Sequence, residues 1–262
     1  MYSLEHIKYL KKIRKNKFLI RLSQLFIITT FIVIWQILAD KGLINTFIFS
    51  SPKKIVNCII NLHIKGNLYN NILITVWETV FSFTLGTAIG LIIATIMWWN
   101  KFIAKVIDPY LTIINSLPKV ALGPIIIIWA GAGMKSIILM ALLISVIVTI
   151  ISVYQGFIET DPIKIKLMKS LGANKFQTYT KLILPCSLSC IISALKINVS
   201  MSLIGVIMGE FLVSKEGIGY LIMYGSQVFN LDLVISGIFI LCVIATLMYY
   251  LIVFLEKKIT KY

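Results

Sequence analysis

Residues 136–153 read SIILMALLISVIVTIISV, residues 164–185 read KIKLMKSLGANKFQTYTKLILP, and residues 186–208 read CSLSCIISALKINVSMSLIGVIM. The first and third runs are apolar and close to the ~20 residues that an α-helix needs to cross a hydrocarbon core of ~30 Å. The run between them is rich in lysine, contains a glycine and ends in a proline. A membrane chain that separates two spans with such a polar segment is expected to contact something outside the bilayer through it.

The composition of the whole chain is typical of a polytopic membrane protein. Of its 262 residues, 59% are hydrophobic and 13% are charged, and the mean hydropathy is +0.95, whereas a soluble domain carries about a quarter charged residues. The formal net charge is +15, but the charges cluster between apolar runs, as in the loops of membrane proteins. This distribution argues against nucleic acid as a partner, because a nucleic-acid protein places its basic residues on a folded polar face.

Six apolar runs are long enough to span a membrane, and they predict an all-α, polytopic helical bundle. The runs cover residues 19–38, 72–98, 106–129, 136–153, 186–208 and 233–254. Pro118 and Pro124 interrupt the third run, so this span is expected to be kinked or broken. We assign residues 1–45 to a basic N-terminus with the first span, and residues 46–262 to a core that contains the other five spans.

Lysine and arginine are concentrated in alternate loops, which sets the orientation of the spans. With the N-terminus inside, the outer side receives only Lys41, Lys53, Lys54, Lys65, Lys135 and Lys215, and the inner side receives all the other basic residues except Lys119 and Lys196. The positive-inside rule therefore predicts that both termini and the loop 160–185 are cytoplasmic. On the outer side, Ser51 followed by Pro52 is a typical helix start and predicts a surface helix over residues 52–65.

The sequence contains no motif for ATP hydrolysis or for other catalysis. It has no G-x-x-x-x-G-K-[ST] phosphate loop and no Gly-Lys dipeptide. His6 and His63 fall on opposite sides of the membrane in this topology, and neither G-x-S-x-G nor H-E-x-x-H occurs. The four cysteines are scattered and no histidine joins them, so no metal site is expected. We therefore expect a protein that is not an enzyme and holds no cofactor.

The loop 160–185 carries signals for two short helices joined at a glycine. Asp161 and Pro162 fit the N-cap and the first position of one helix, and Gly172 can end that helix with a positive φ. A second helix is expected over residues 174–182, before the proline that closes the loop. On this pattern alone, the loop could dock on a soluble partner or lie on the membrane surface with its lysines against lipid phosphates.

The run Gly172-x9-Leu182-x-Leu184-Pro185 resembles the EAA loop of ABC importer permeases, which is written E-A-A-x3-G-x9-I-x-L-P. Blocks at residues 115–118, 122–124 and 208–222 are similar to the nitrate/sulfonate/taurine-type branch of this family. The resemblance covers nearly the whole chain from about residue 47 onward. Residues 166–168 depart from it, because Lys-Leu-Met stands where Glu-Ala-Ala is expected, so an ammonium replaces a carboxylate.

The resemblance implies a permease of the bacterial inner membrane, surrounded by lipid, in which two copies pair, most simply as a homodimer, and five spans form the transport core. In such permeases the loop forms a coupling helix that inserts into a cleft of a cytoplasmic ATPase subunit, and an extracytoplasmic substrate-binding protein delivers the solute. The residues carried over to the ATPase contact are Leu171, Gly172, Ala173, Phe176, Leu182 and Pro185.

The branch also implies a class of solute, which the residues themselves do not identify. Small anions such as nitrate, a sulfonate or taurine are expected. A heterocycle such as a pyrimidine or a thiamine precursor is the alternative within the same family. A secondary carrier without an ATPase is the rival from another class, but no internal repeat of the kind such carriers often show is visible in the sequence.

Polar residues at membrane depth are costly and therefore mark candidate positions in a translocation pathway. Lys196 lies about 16 Å along the fifth span from Pro185, at ~1.5 Å per residue. It either faces an anionic solute or pairs between helices with backbone carbonyls or with a carboxylate, for which Glu78 and Glu210 are the candidates. The pathway residues predicted from the sequence are Asn115, Lys119, Lys196 and Glu210.

Two pairs of glycines, Gly86-x3-Gly90 and Gly205-x3-Gly209, each lie on one face of a span. Pairs of this kind let helix backbones approach closely. We expect both to form helix contacts, either within the bundle or across a dimer.

Overall fold

The computed structural model describes the backbone of residues 4–259 and the side chains of residues 12–258. The side chain of His6 and the outermost residues of the predicted regions 1–45 and 46–262 lie outside these ranges. The described chain is helical, without strands, which confirms the all-α prediction. The helices are α1 (Leu4–Asp40), α2 (Thr46–Phe49), α3 (Pro52–Ile64), α4 (Asn67–Trp99), α5 (Lys101–Ser116), α6 (Gly123–Ala130), α7 (Met134–Ile158), α8 (Pro162–Ser170), α9 (Lys175–Thr178), α10 (Leu184–Cys186), α11 (Leu188–Val213), α12 (Ile218–Gln227) and α13 (Leu231–Ile259).

Five of the described helices are long and apolar enough to cross a membrane, and a bent pair gives a sixth span if it is counted as one. The five are α1, α4, α7, α11 and α13, and the pair is α5 with the 3₁₀ turn Lys119–Leu122 and α6. The two halves of the pair differ in direction by 88°. This agrees with the six predicted spans and with the prediction that the third of them is broken.

The break lies at Pro118 and not at Pro124. Leu117 leaves the helical region (φ −67°, ψ 143°), because the ring of a following proline disfavours the helical backbone. Pro124 instead occupies the first turn of α6, where a missing N–H costs nothing. Helices also run past the apolar runs, as in α1, because lysine, arginine and glutamine are good helix formers outside the hydrocarbon.

The long helix α7 lies at the centre of the bundle, between α4 and α11. A Cβ added at Gly90 of α4 would come within 2.6 Å of the Thr149 side chain, and one at Gly209 of α11 within 2.8 Å of the Ile137 backbone. Gly86 and Gly205 make equally close approaches to α7. Both glycine pairs therefore pack within the bundle, which decides between the two alternatives left by the sequence.

The helix α3 begins at Pro52, and the Ser51 side chain accepts a hydrogen bond from the Lys54 N–H at 3.3 Å. Only Ile55 of this helix is buried, and it lies near α13, where the Ser236 hydroxyl donates to its carbonyl at 3.4 Å. The Ser50 hydroxyl also donates a hydrogen bond to α13, to the Asp232 carboxylate at 2.5 Å. The helix therefore packs on the outside of the bundle, and its position at a membrane surface stays a prediction.

Candidate functional site

The first half of the loop 160–185 is a capped helix followed by a left-handed turn. The Asp161 carboxylate accepts a hydrogen bond from the Ile163 N–H at 2.8 Å and begins α8. Gly172 has φ +78°, and the N–H of Ala173 donates to the Met168 carbonyl at 3.0 Å. This is the Schellman arrangement that satisfies the last carbonyls of a helix and favours glycine. The predicted cap and the predicted glycine turn are both present.

The second half of the loop differs from the single helix predicted over residues 174–182. Asn174 and Gln177 form a capping box at the start of α9, but from Tyr179 to Ile183 the helix widens into a π turn. The N–H of Leu184 consequently bonds to the Tyr179 carbonyl, five residues earlier. Pro185 explains the difference, because it has no N–H and its ring crowds the carbonyl four residues before it.

Tyr179 anchors the side of the loop that faces the bundle on the ends of α4 and α7. This side chain is 8% exposed, and its hydroxyl lies 2.7 Å from the Thr95 hydroxyl. Its ring packs 5.2 Å from that of Trp98 and 5.7 Å from that of Phe157. Burial of aromatic rings in contact with one another stabilises such a junction beyond the area buried. The loop is thus fixed to the bundle and does not lie loosely over it.

The side of α8 that faces away from the bundle is an exposed apolar ridge, formed by Ile163, Leu167 and Leu171 at helical spacing. Ile163 is 74% exposed and Leu171 is 73% exposed. Exposed lysines flank the ridge on both sides, at Lys164 and Lys166. A row of large apolar side chains that faces away from a protein is a typical interaction site.

Of the six residues predicted for the ATPase contact, Leu171 belongs to this ridge and Gly172 follows it directly, whereas the other four come later in the loop. Leu171, Gly172, Phe176 and Pro185 are exposed, whereas Ala173 and Leu182 are half-buried. Their role in docking stays a prediction.

The four predicted pathway residues do not form one cluster. Lys119 and Asn115 lie together at the bend of the broken span, where the Lys119 ammonium donates to the Asn115 side chain at 2.9 Å. Lys196 forms a 2.7 Å ion pair with Glu256 of α13. The expectation that Glu78 or Glu210 would be its partner is therefore wrong. The helices α11 and α13 run antiparallel, which brings the last turns of α13 to the first turns of α11.

Glu210, the fourth predicted pathway residue, is 1% exposed. Its carboxylate accepts hydrogen bonds from the Thr75 hydroxyl and from the Gly219 N–H, both at 2.6 Å. Thr75 in turn accepts from the Ile218 N–H at 2.9 Å, and Asn71 accepts from the Gly217 N–H at 2.6 Å. Side chains of α4 and α11 therefore satisfy the free N–H groups at the start of α12, which has no side-chain cap of its own.

This network, here called the α12 clasp, consists of Asn71, Thr75 and Glu210 with the N–H groups of residues 217–219. The roles of Asn71 and Thr75 are not apparent from the sequence. The one signal for the clasp in the sequence is Gly217, which stands at the start of a helix in place of a capping serine, threonine, aspartate or asparagine. Both Gly217 and Gly219 lie so close to the Glu210 carboxylate that a Cβ at either position would clash with it.

A cavity of about 680 Å³ lies at the same end of the bundle as the α12 clasp. Its lining includes Trp77, Glu78, Lys215 and Glu216. Glu78 is 4% exposed and lies beside Glu210, and its Oε2 has no hydrogen-bond partner among the described residues. A buried polar atom without a partner costs free energy and is a candidate for contact with a ligand.

The described residues contain no group of histidine, cysteine, aspartate and glutamate side chains that could hold a metal ion. The comparison with known families decides what kind of protein this is. The family described as "Binding-protein-dependent transport system inner membrane component" matches residues 86–261. The chain belongs to this family.

Individual relatives agree with the family and cover most of the permease. A probable ABC transporter permease protein of Haemophilus influenzae is 30% identical over 87% of this chain and 93% of its own length. The putative aliphatic sulfonates transport permease SsuC of Bacillus subtilis is 27% identical over 88% of this chain and 84% of its own. The formylaminopyrimidine transport permease ThiX of Halalkalibacterium halodurans is 27% identical over 82% and 85%, respectively.

A solved structure gives the same fold. The permease resembles a chain of the inward-facing MetNI methionine ABC transporter with a TM-score of 0.69 and 17% identity, over 76% of this chain and 98% of that chain. The family and the relatives show that the protein is an ABC importer permease embedded in a membrane. It is a transport subunit, because in this family the hydrolysis of ATP belongs to a separate ATPase, and a binding protein supplies the solute.

Proposed function

We propose that the permease is the membrane subunit of an importer in which two copies pair and the exposed ridge of α8 docks on the ATPase. The observation that carries this proposal is the contrast between the two sides of the loop. On the side that faces the bundle, Tyr179 fixes the loop through contacts with other aromatic rings. On the side that faces away from the bundle, Ile163 and Leu171 are three-quarters exposed. A rigid support beneath an apolar ridge is suited to transmit force between subunits.

The proposed orientation follows from the charges. The loop 160–185, the lysine-rich N-terminus and the basic end of α13 lie on the cytoplasmic side of the bacterial inner membrane, in accordance with the positive-inside rule. The start of α12 and the cavity beside Glu78 then face the outer side, where a binding protein would release the solute. The surface helix α3 lies on the same side.

The lysines that flank the ridge define the chemistry of the partner cleft. Lys166 stands at the position of the glutamate in the E-A-A pattern, with Lys164 on the other flank. We therefore expect the ATPase cleft to be apolar at its floor and to carry carboxylates at its rim, since opposite charges across an interface favour the correct partner.

We infer that the solute is small and carries an amino group together with an acidic or a polar group. Lys215 offers an ammonium to a sulfonate, and Glu78 offers an acceptor to an N–H, in one cavity of about 680 Å³. Taurine and related aminosulfonates fit this description better than nitrate, which has no N–H. An aminopyrimidine is the second candidate, because the Trp77 ring in the same lining can stack on a heterocycle.

Among the polar residues of the spans, we retain Asn115 and Lys119 at the bend as pathway candidates. Lys196 is better explained by its ion pair with Glu256, and Glu210 by the α12 clasp. Both would then support the bundle without contacting the solute.

The docking proposal is tested with Gly172→Asp, because aspartate tolerates a positive φ but adds a charge at the ridge. Gly42→Asp is a matched control, since Gly42 also has a positive φ and open space around it. Gly172→Asp is expected to insert normally and to lose both co-purification with the cognate ATPase and transport in vesicles. If its ATPase binding and transport equalled those of Gly42→Asp, the docking proposal would be refuted. Native mass measurement of the purified complex tests the pairing of two permeases.

A further inference from the structure

A second cavity, of about 700 Å³, lies at the loop end of the bundle. Its walls are the end of α4, the start of α5 and the side of the loop that faces the bundle. Trp98 and Trp99 form part of its lining. This cavity is separate from the exposed ridge, which lies on the other side of α8. It is also separate from the cavity beside Glu78 at the far end.

The charges of this cavity are of one sign. Lys101, Lys169 and Lys175 contribute to the lining, and no aspartate or glutamate does. Lys175 donates a hydrogen bond to the Trp99 carbonyl and lies 5.4 Å from the centre of the Trp99 ring. Lys101 and Lys169 make no ion pair within the described part of the chain, where the one ion pair is that of Lys196. Three ammonium groups around one space repel one another unless an anion lies between them.

The position of the cavity limits the kind of anion. The apolar span of α4 ends at Trp99, and tryptophans at the end of a span lie at the level of the lipid headgroups. Basic pockets between spans at this level suit phosphate headgroups, and each lysine near an anionic surface strengthens binding. A phosphate group with several oxygens can accept hydrogen bonds from more than one ammonium at once.

We infer that the cavity lined by Lys101, Lys169 and Lys175 binds a phosphate-bearing anion, either the headgroup of an anionic lipid or free phosphate. The bound anion would bridge the start of α5 and the loop, because Lys101 belongs to the former and Lys169 and Lys175 to the latter. An anion bound in this cavity would hold the loop in the position in which the apolar ridge of α8 faces away from the bundle.

The test uses the full-length permease reconstituted in phosphatidylcholine vesicles that contain increasing fractions of phosphatidylglycerol with brominated acyl chains. Bromine quenches tryptophan fluorescence at short range, so a headgroup held in the cavity brings its chains close to Trp98 and Trp99. The variants are Lys101→Gln, Lys169→Gln and the double change. Lys181→Gln is the matched control, because this exposed lysine belongs to the loop but does not line the cavity.

The lipid fraction needed for half-maximal quenching is expected to rise about fivefold for each single variant and about thirtyfold for the double variant. The control should behave as the wild type, and arginine at both positions should restore binding. If millimolar inorganic phosphate in the buffer removes the quenching of the wild type, the source of the anion is soluble phosphate. If it does not, the source is the lipid.

Two results would overturn the inference. One is equal quenching of the wild type by brominated phosphatidylglycerol and by brominated phosphatidylcholine without any effect of phosphate, which requires no variant to fold. The other is an equal loss in Lys181→Gln and in the double variant, which would assign the effect to the general charge of the loop.

Discussion

The α12 clasp gives the most direct test of the structure, through removal of the Glu210 carboxylate. In Glu210→Ala, the Gly219 N–H and the Thr75 hydroxyl lose the acceptor that each contacts at 2.6 Å. A buried donor that loses its partner costs about 1–3 kcal/mol, so the two together amount to about 2–6 kcal/mol. The Thr75 hydroxyl can turn to a carbonyl of its own helix, as Thr79 does, so we expect a loss of about 3 kcal/mol in the free energy of unfolding.

Two further variants separate the hydrogen bonds from other effects. Glu210→Gln keeps one acceptor oxygen for the Gly219 N–H and can turn its amide toward Thr75, so the expected loss is about 1 kcal/mol. Glu216→Ala removes an exposed carboxylate six residues away, and a surface change of this kind is expected to stay within about 0.5 kcal/mol. The order of stability should therefore be wild type and Glu216→Ala, then Glu210→Gln, then Glu210→Ala.

The assay combines thermal unfolding of the purified permease in detergent with hydrogen exchange of the peptide that contains residues 214–222. Glu210→Ala should unfold at the lowest temperature and exchange the N–H groups of residues 217–219 fastest, since these are the groups held by the clasp. Equal unfolding temperatures for Glu210→Ala and Glu216→Ala, together with unchanged exchange in this peptide, would refute the reasoning.

Four other changes test separate parts of the structure. Lys166→Glu should weaken binding of the cognate ATPase in a co-purification assay, and a lysine in place of a rim carboxylate of the ATPase should restore it; no loss would contradict the proposed acidic rim. Gly209→Val should separate α11 from α7 and lower the unfolding temperature, at a cost of about 1–3 kcal/mol for overpacking, and an unchanged temperature would argue against this contact. Tyr179→Phe removes the hydroxyl that meets Thr95 and should cost about 1 kcal/mol, measured by the same unfolding assay, whereas a loss as large as that of Tyr179→Ala would show that the ring is not what anchors the loop. Glu78→Gln should raise the unfolding temperature, because its amide can donate to Glu210, yet lower uptake in vesicles; unchanged uptake would remove Glu78 from the proposed solute site.

The features that sequence predicted well are those encoded by neighbouring residues. The number of spans follows from the lengths of the apolar runs, and the break at Pro118 follows from a local steric clash. The cap at Asp161 and the turn at Gly172 likewise depend on contacts within a few residues. In each case the physical cause lies in the same stretch of chain as the structure that it produces.

The features that sequence missed depend on contacts between distant residues. Glu210 meets Thr75 across 135 positions, and Gly217 meets Asn71 across 146. The predicted partner of Lys196 is wrong for the same reason, since nothing near Lys196 in the sequence indicates which carboxylate the antiparallel helix α13 brings beside it. The π turn after Tyr179 is an intermediate case, because its cause, Pro185, was visible but more than one helix geometry can relieve the clash.

The glycine contacts on α7 have a mechanical consequence for the transport cycle. The α11 glycines touch the backbone of α7, and the α4 glycines touch its Ser145 and Thr149 side chains at close range. Because these contacts leave no room for sliding, the three helices should move as one lever. The loop is attached to this lever at one end and the α12 clasp at the other. A displacement of the loop would therefore move the start of α12 without deforming the helices between them. The neighbouring span is bent by 88° at Pro118, and this bend is where it can change its angle.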